Sequence, residues 1–217
     1  MASHAAAMPL DRRPLKGIDV YNMKLGMWVF LLSEVMFFTS LIGSYVILRF
    51  ANPGAFGAPG EVLNVPLTGV NTFILICSSV TMVKAFASIE NGDQKGLRLW
   101  LLATILLGSV FVGIQVIEYN VLSHEGFVPR AASYEALGRD EVGPIVGGPL
   151  YGATFYTMTG FHGLHVSIGV LCLSFVAFRA FRGKYTQESH GGVEIVGLYW
   201  HFVDLVWIIL FTIVYLI

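Results

Sequence analysis

Five long apolar stretches make up most of this chain, and ionisable side chains sit well inside several of them: Glu34, Glu118, His162, His165, His201 and Asp204. The stretches fall at about 25–48, 70–89, 98–119, 151–179 and 195–217, each near the ~20 residues that a helix needs to cross hydrocarbon. The expected fold class is therefore all-α, a polytopic membrane protein built as a bundle of five transmembrane helices within residues 23–217. Residues 1–22 are expected to form an amino-terminal tail. On the insertion scale a central Asp costs about 2.5–3.5 kcal/mol, whereas a Leu, Ile, Phe or Val contributes only about 0.3–0.6 in the favourable direction. What the embedded polar groups touch should thus decide what the protein does.

Composition places the chain in a bilayer. Hydrophobic residues make up 55% of the 217 and charged residues 12%, and mean hydropathy is +0.71, far above an ordinary soluble domain. The net charge of −1 and the lack of any long basic or acidic run point away from nucleic acid as a partner. Cys77 and Cys172 lie in apolar runs without CxxC or Cys/His spacing and read as small core residues rather than a disulfide or metal pair. Residues 1–20 lack the apolar core of a signal peptide, so the tail is expected to be retained.

Turn signals divide the spans. Asn52-Pro53-Gly54 through Pro66 is a turn-rich loop, Glu90-Asn91-Gly92-Asp93 predicts a tight hairpin, and residues 120–149 form a longer polar connection. Alternating the sides gathers Arg12, Arg13, Lys16, Lys24, Lys84, Lys95, Arg98, Arg179, Arg182 and Lys184 together, leaving Arg49, Arg130 and Arg139 opposite. That bias predicts a cytoplasmic amino terminus and an outside carboxyl terminus.

Glu34 stands about nine residues, or roughly 13 Å, past the start of the first span, nearer the midplane than the headgroups. A carboxyl there is either neutral and bonded to a neighbouring helix, or paired with a donor; packing glue and a proton relay or substrate site both fit. In the fourth span His162 and His165 are three residues apart on a shared face, flanked by Gly160 and Gly163, which admit a close helix. Interhelical hydrogen bonds are one use of these imidazoles; a metal completed by Glu34, Glu118 or His201 is another, although the Glu-x-x-His pairs of di-iron bundles are missing. In the fifth span His201 and Asp204 share a face, which predicts a buried charge-assisted pair. Glu118, at the end of the third span, is expected near the outer interface, solvated by water. Arg179 and Arg182 follow the fourth span, where the positive-inside bias explains them and a lipid phosphate can also be held.

Three segments carry a resemblance. Gly26-Met27-Trp28-Val29-Phe30-Leu31-Leu32-Ser33-Glu34-Val35-Met36-Phe37-Phe38, then Thr159-Gly160-Phe161-His162-Gly163-Leu164-His165-Val166, then Tyr199-Trp200-His201-Phe202-Val203-Asp204-Leu205-Val206-Trp207 resemble, in order, the signatures of subunit III of the haem-copper terminal oxidases. The resemblance spans roughly residues 24–217 and takes in Gln115-Val116-Ile117-Glu118-Tyr119 as well. It implies an accessory subunit without haem or copper of its own, packed against subunit I, where oxygen is reduced and protons are pumped, within a complex that also holds subunit II. It implies support of proton uptake and protection of the catalytic core, with Glu34 as the family's buried carboxylate. Glu118, His162, His165, His201 and Asp204 would form the internal polar network, and Arg179 and Arg182 a contact to bound phospholipid. Mitochondrial relatives have seven helices, and this chain begins at what resembles their third, so part of their lipid cleft is not expected here. The five-helix form implies a bacterial cytoplasmic membrane.

Other readings stay open at this point. The related subunit of a quinol oxidase or a nitric oxide reductase fits the same signatures. A small proton-coupled transporter fits the embedded Glu and His, though no inverted repeat accompanies them. A redox enzyme with its metal at Glu34, His162 and His165 is the third.

Overall fold

The computed structural model describes residues 16–56, 63–124, 127 and 149–216. It contains five long helices: α1 (Lys16–Ala51), α2 (Val65–Glu90), α3 (Gln94–His124), α4 (Pro149–Phe181) and α5 (Gly191–Phe211), the last continuing into a π-helical turn, Thr212–Leu216. Each is long and apolar enough to span a bilayer. With no water in the hydrocarbon to satisfy backbone N–H and C=O groups, unbroken helices are the form such segments take. The first four helices extend past both ends of the stretch expected from hydropathy, and α5 starts four residues before its stretch, because capping turns and amphipathic ends lie outside the apolar window. The α1 helix already begins at Lys16, within the stretch assigned to the tail; residues 1–15 lie outside the described residues.

Local sequence explains where the helices stop. The Asn64 side chain caps α2 by accepting from the Leu67 N–H at 3.1 Å, with Pro66 in the first turn. The expected hairpin after α2 is present: Gly92 takes a positive φ of 76°, which L side chains resist, and its N–H reaches the Ile89 carbonyl at 3.0 Å. Asp93 Oδ1 then accepts from the N–H groups of Lys95 and Gly96, both at 3.0 Å, and starts α3. In the loop after α1 the described part is a short 3₁₀ turn, Pro53–Ala55. Of the long connection after α3, α3 claims residues up to His124 and α4 claims Pro149; between them only Phe127 is described, buried against Tyr151, Phe155 and Tyr156.

The helices run alternately up and down. Hydrogen bonds follow antiparallel order between the side chains of α2 and α3 (Thr68 with Glu118, Thr81 with Thr104) and from side chains of α3 to carbonyls of α4 (Gln115 to Thr159, Arg98 to Ala180). At the end where α1 starts, Gln94 donates to the Tyr185 carbonyl (3.0 Å) and Gln187 to the Glu90 carbonyl (2.8 Å), tying the two turns together.

Close packing surrounds Trp200 of α5. Its indole lies against Gly108 of α3 and Gly169 of α4, where an added Cβ would come within 2.5 Å and 2.9 Å of ring atoms. Its Nε1–H donates to Ser78 Oγ of α2 at 3.0 Å, so four helices meet at one side chain. Between helices in lipid there is little hydrophobic drive, and close approach at small residues with added hydrogen bonds supplies the cohesion instead. The outer surface is correspondingly apolar, with Val29, Met36, Ile47, Leu106 and Leu171 among its exposed residues.

Candidate functional site

The embedded polar groups separate into three clusters. The first joins α5 to α2. Trp207 Nε1–H donates to Thr72 Oγ1 at 2.9 Å, one rung along from the Trp200–Ser78 bond. Trp207 also stacks on His162 of α4, with centroids 4.6 Å apart, and His162 Nε2 faces the Val203 carbonyl at 3.1 Å. A carbonyl only accepts, so Nε2 carries the proton there. His162 is fully buried and holds α4 to α5.

His201 and Asp204 belong to the same seam, but not as the direct ion pair expected from their spacing. His201 Nδ1 lies 3.3 Å from Ser79 Oγ, and the Asp204 carboxyl faces that same hydroxyl. No His201–Asp204 contact within ion-pair distance occurs among the described residues. The α2 serine separates the two groups because α2 packs directly over this face of α5.

The second cluster overturns the expectation for Glu118. The residue is 5% exposed and built into the protein rather than solvated at an interface. Its Oε1 accepts from Thr68 Oγ1 of α2 at 2.8 Å and from the Tyr215 hydroxyl at 3.3 Å. Tyr215 lies in the π-helical turn at the end of α5, so this carboxyl joins α2, α3 and the end of the chain. One turn earlier on α3, Gln115 donates to the Thr159 carbonyl of α4 at 2.8 Å, and Tyr119 and Thr159 share a hydroxyl contact at 2.6 Å. Gly163 makes the room expected of it: a Cβ there would meet Gln115 at 2.6 Å.

The third cluster contains Glu34. Its Oε2 lies 3.1 Å from Nε2 of His165, linking α1 to α4. His165 Nδ1 approaches the Phe161 carbonyl at 2.6 Å, and the His165 carbonyl accepts from the Tyr199 hydroxyl at 2.9 Å. The pair forms part of the wall of an apolar groove of about 580 Å³ between α1, α4 and α5, whose lining includes Met27, Phe30, Phe161, Ile168 and Tyr199. The two imidazoles of α4 therefore diverge, His162 toward α5 and His165 toward α1. Among the described residues, no three His, Cys, Asp or Glu side chains converge as a metal set. Gathering the expected ligands fails because helical spacing places i and i+3 on one broad face, and two different neighbours divide that face.

Arg179 and Arg182 lie at the end where α1 starts, exposed, with their guanidinium groups over aromatic rings: Arg179 by Phe175 (5.9 Å) and Tyr185 (5.5 Å), Arg182 by Phe178 (4.2 Å). Burial raises the phenol of Tyr185, in the turn beyond the span, above the usual tyrosine range, and the nearby Arg179 partly offsets the rise. Cys77 and Cys172 are both free.

Sequence reasoning missed the hydroxyls that complete these clusters: Thr68, Thr72, Ser78, Ser79 and Tyr215. A signal was available for α2. Its buried face reads Thr68, Asn71, Thr72, Leu75, Ser78, Met82, Ala85 and Ile89, a small and polar stripe at helical spacing in an otherwise apolar segment.

Five long apolar helices, with many of their polar side chains bonded to backbone carbonyls or to one another, define a multi-pass α-helical membrane protein. The sequence matches the family model of cytochrome c oxidase subunit III over residues 18–125 and 142–217. It is 37% identical over 193 residues to the cytochrome c oxidase subunit 3 of Thermostichus vulcanus, covering 88% of this chain and 86% of that one. Against the subunit of the same name from Synechocystis sp. it is 39% identical over 192 residues, covering 88% and 74%. Against that of Bacillus sp. strain PS3 it is 32% identical over 195 residues, covering 90% and 86%. The chain belongs to the cytochrome c oxidase subunit III family.

Proposed function

We propose that this chain is a noncatalytic accessory subunit of a haem-copper oxidase in a bacterial cytoplasmic membrane, with its amino terminus cytoplasmic and its carboxyl terminus outside. It packs against subunit I, beside subunit II, and supports proton uptake and the stability of the oxygen-reducing core. Haem and copper belong to the partner subunits, and phospholipid, with Arg179 and Arg182 as headgroup contacts, is the ligand expected of this one. The observation that carries the reading is family membership over nearly the whole chain. The way most embedded polar groups bond within the chain agrees with it: His162, Glu118 and the α2 hydroxyls join helices to one another.

The test is purification of the assembled complex through a tag on this chain, followed by its optical spectrum and by haem and copper analysis of the separated subunits. A haem spectrum in the complex, with no stoichiometric haem or copper on this chain, is the expected result. Recovery of the chain without any haem-bearing partner, together with proton-coupled transport by the chain alone in liposomes, would replace the reading with the transporter. The same preparation identifies the complex as a cytochrome oxidase, a quinol oxidase or a nitric oxide reductase by its electron donor and acceptor.

A further inference from the structure

The contacts of His165 fix more than its position. Its Nδ1 lies 2.6 Å from the Phe161 carbonyl, an atom that can only accept, so Nδ1 carries a proton. The other ring nitrogen, Nε2, faces Glu34 Oε2 at 3.1 Å. That contact is a hydrogen bond when it contains one proton, on the imidazole or on the carboxyl. With none, two lone pairs face each other; with two, two hydrogens do. We propose that Glu34 and His165 form a proton-binding dyad at the wall of the groove, holding one proton between them and remaining net neutral whichever partner carries it.

The surroundings agree. Among the described residues, no Lys or Arg lines the groove to neutralise a lone carboxylate. Lys24, also on α1, is engaged by Glu194 of α5 at 2.6 Å. The other ionisable groups of the lining, among the described residues, are Cys172 of α4 and Tyr199 of α5, and the Tyr199 hydroxyl is committed to the His165 carbonyl. His162, the remaining imidazole of α4, is turned toward Val203. In an apolar wall a site without net charge avoids the cost of an isolated buried ion. Passing the proton from Oε2 to Nε2 breaks one O–H bond and forms one N–H bond, leaving the total charge unchanged.

The inference rests on geometry and stands or falls separately from the oxidase assignment. It is tested on the full chain in lipid nanodiscs, labelled with ¹⁵N-histidine. Nitrogen NMR reads the ring protons of His165, and infrared spectroscopy reads the carbonyl stretch of a protonated Glu34. Glu34→Gln assigns both signals, with Glu34→Asp as the assigning variant if Gln does not fold. The expected result is either a doubly protonated ring with an ionised carboxylate, or a neutral Nδ1–H ring with a carboxylic acid band that Glu34→Gln removes. In both cases His165 becomes a neutral Nδ1–H ring in Glu34→Gln, because the new amide donates to Nε2. A neutral ring protonated at Nε2, an imidazolium opposite a protonated carboxyl, or a neutral Nδ1–H ring opposite a carboxylate would each overturn the proposal.

Discussion

Helix α1 and the body formed by α2–α5 both carry embedded carboxylates, yet they are held by different means. Among the described side chains of α1 the buried positions are Leu31, Phe38 and Tyr45, one every seven residues, which makes a narrow seam. Only 11% of its most apolar window is buried, against 44% for α5. The body, by contrast, interlocks through the glycine slot around Trp200 and through interhelical bonds that engage Ser78, Thr72, Glu118, Gln115 and His162. The lesson is that an intramembrane carboxylate takes its role from its wall. Glu118 faces protein hydroxyls and knits helices, whereas Glu34 faces one imidazole at the edge of a groove and remains open to whatever fills it.

The strongest way to break this contrast is to attack the slot. Gly108→Ala places a Cβ 2.5 Å from a Trp200 ring carbon, and overpacking of that kind costs about 1–3 kcal/mol. Thermal unfolding in nanodiscs should show a large loss of stability, while Gly26→Ala, with nothing within 4 Å, should show none. Next in size is Glu118→Ala, which strands the Tyr215 hydroxyl, while Thr68 keeps the Asn64 carbonyl at 3.1 Å, and should cost about 1–2 kcal/mol by the same assay. Glu118→Gln keeps the acceptor and should recover most of that loss.

Smaller effects belong to α1. Glu34→Leu removes its polar tie to α4, worth about 0.6–1.7 kcal/mol, and should loosen α1 as read by hydrogen exchange; Glu34→Gln should leave assembly largely intact. Lys24 and Glu194 pair at 2.6 Å but are 37% and 28% exposed. Glu194→Gln should therefore shift stability by no more than about 1 kcal/mol, less in high salt. Last comes Tyr185, whose phenol is raised by burial. A raised folded value means its contribution is complete below the ordinary tyrosine range and is lost as pH rises above that range through the folded value. Alkaline unfolding of Tyr185→Phe should accordingly set in at higher pH than that of the unaltered chain; an identical onset would show that the phenol contributes nothing.

Hydropathy made the five spans and the Gly92 turn legible, because each rests on local composition. Roles of side chains were legible only where one residue type dictates them. The sequence showed that Gly163 admits a neighbour, but the neighbour, Gln115, stands 48 positions earlier on another helix. Water was expected around Glu118 because its place near the end of the third span suggested an interface, while the hydroxyls that bury it come from Thr68 and Tyr215, at the start of α2 and in the π turn. His201 and Asp204 share a helical face, as expected, yet the serine between them comes from α2. Weighing only ionisable residues hid the Ser and Thr stripe that does the joining.

Central to the account is the proposal that this chain sustains an oxidase whose chemistry resides in its partner subunits. Oxygen consumption should be followed over successive turnovers in the purified complex, before removal of this chain, after removal and after its return, with haem and copper measured at each stage. The account predicts that haem and copper stay with the remaining subunits, that activity decays faster per turnover without the chain, and that adding it back restores the lifetime. Loss of metal in proportion to the chain removed, or an unchanged lifetime without it, would contradict the account.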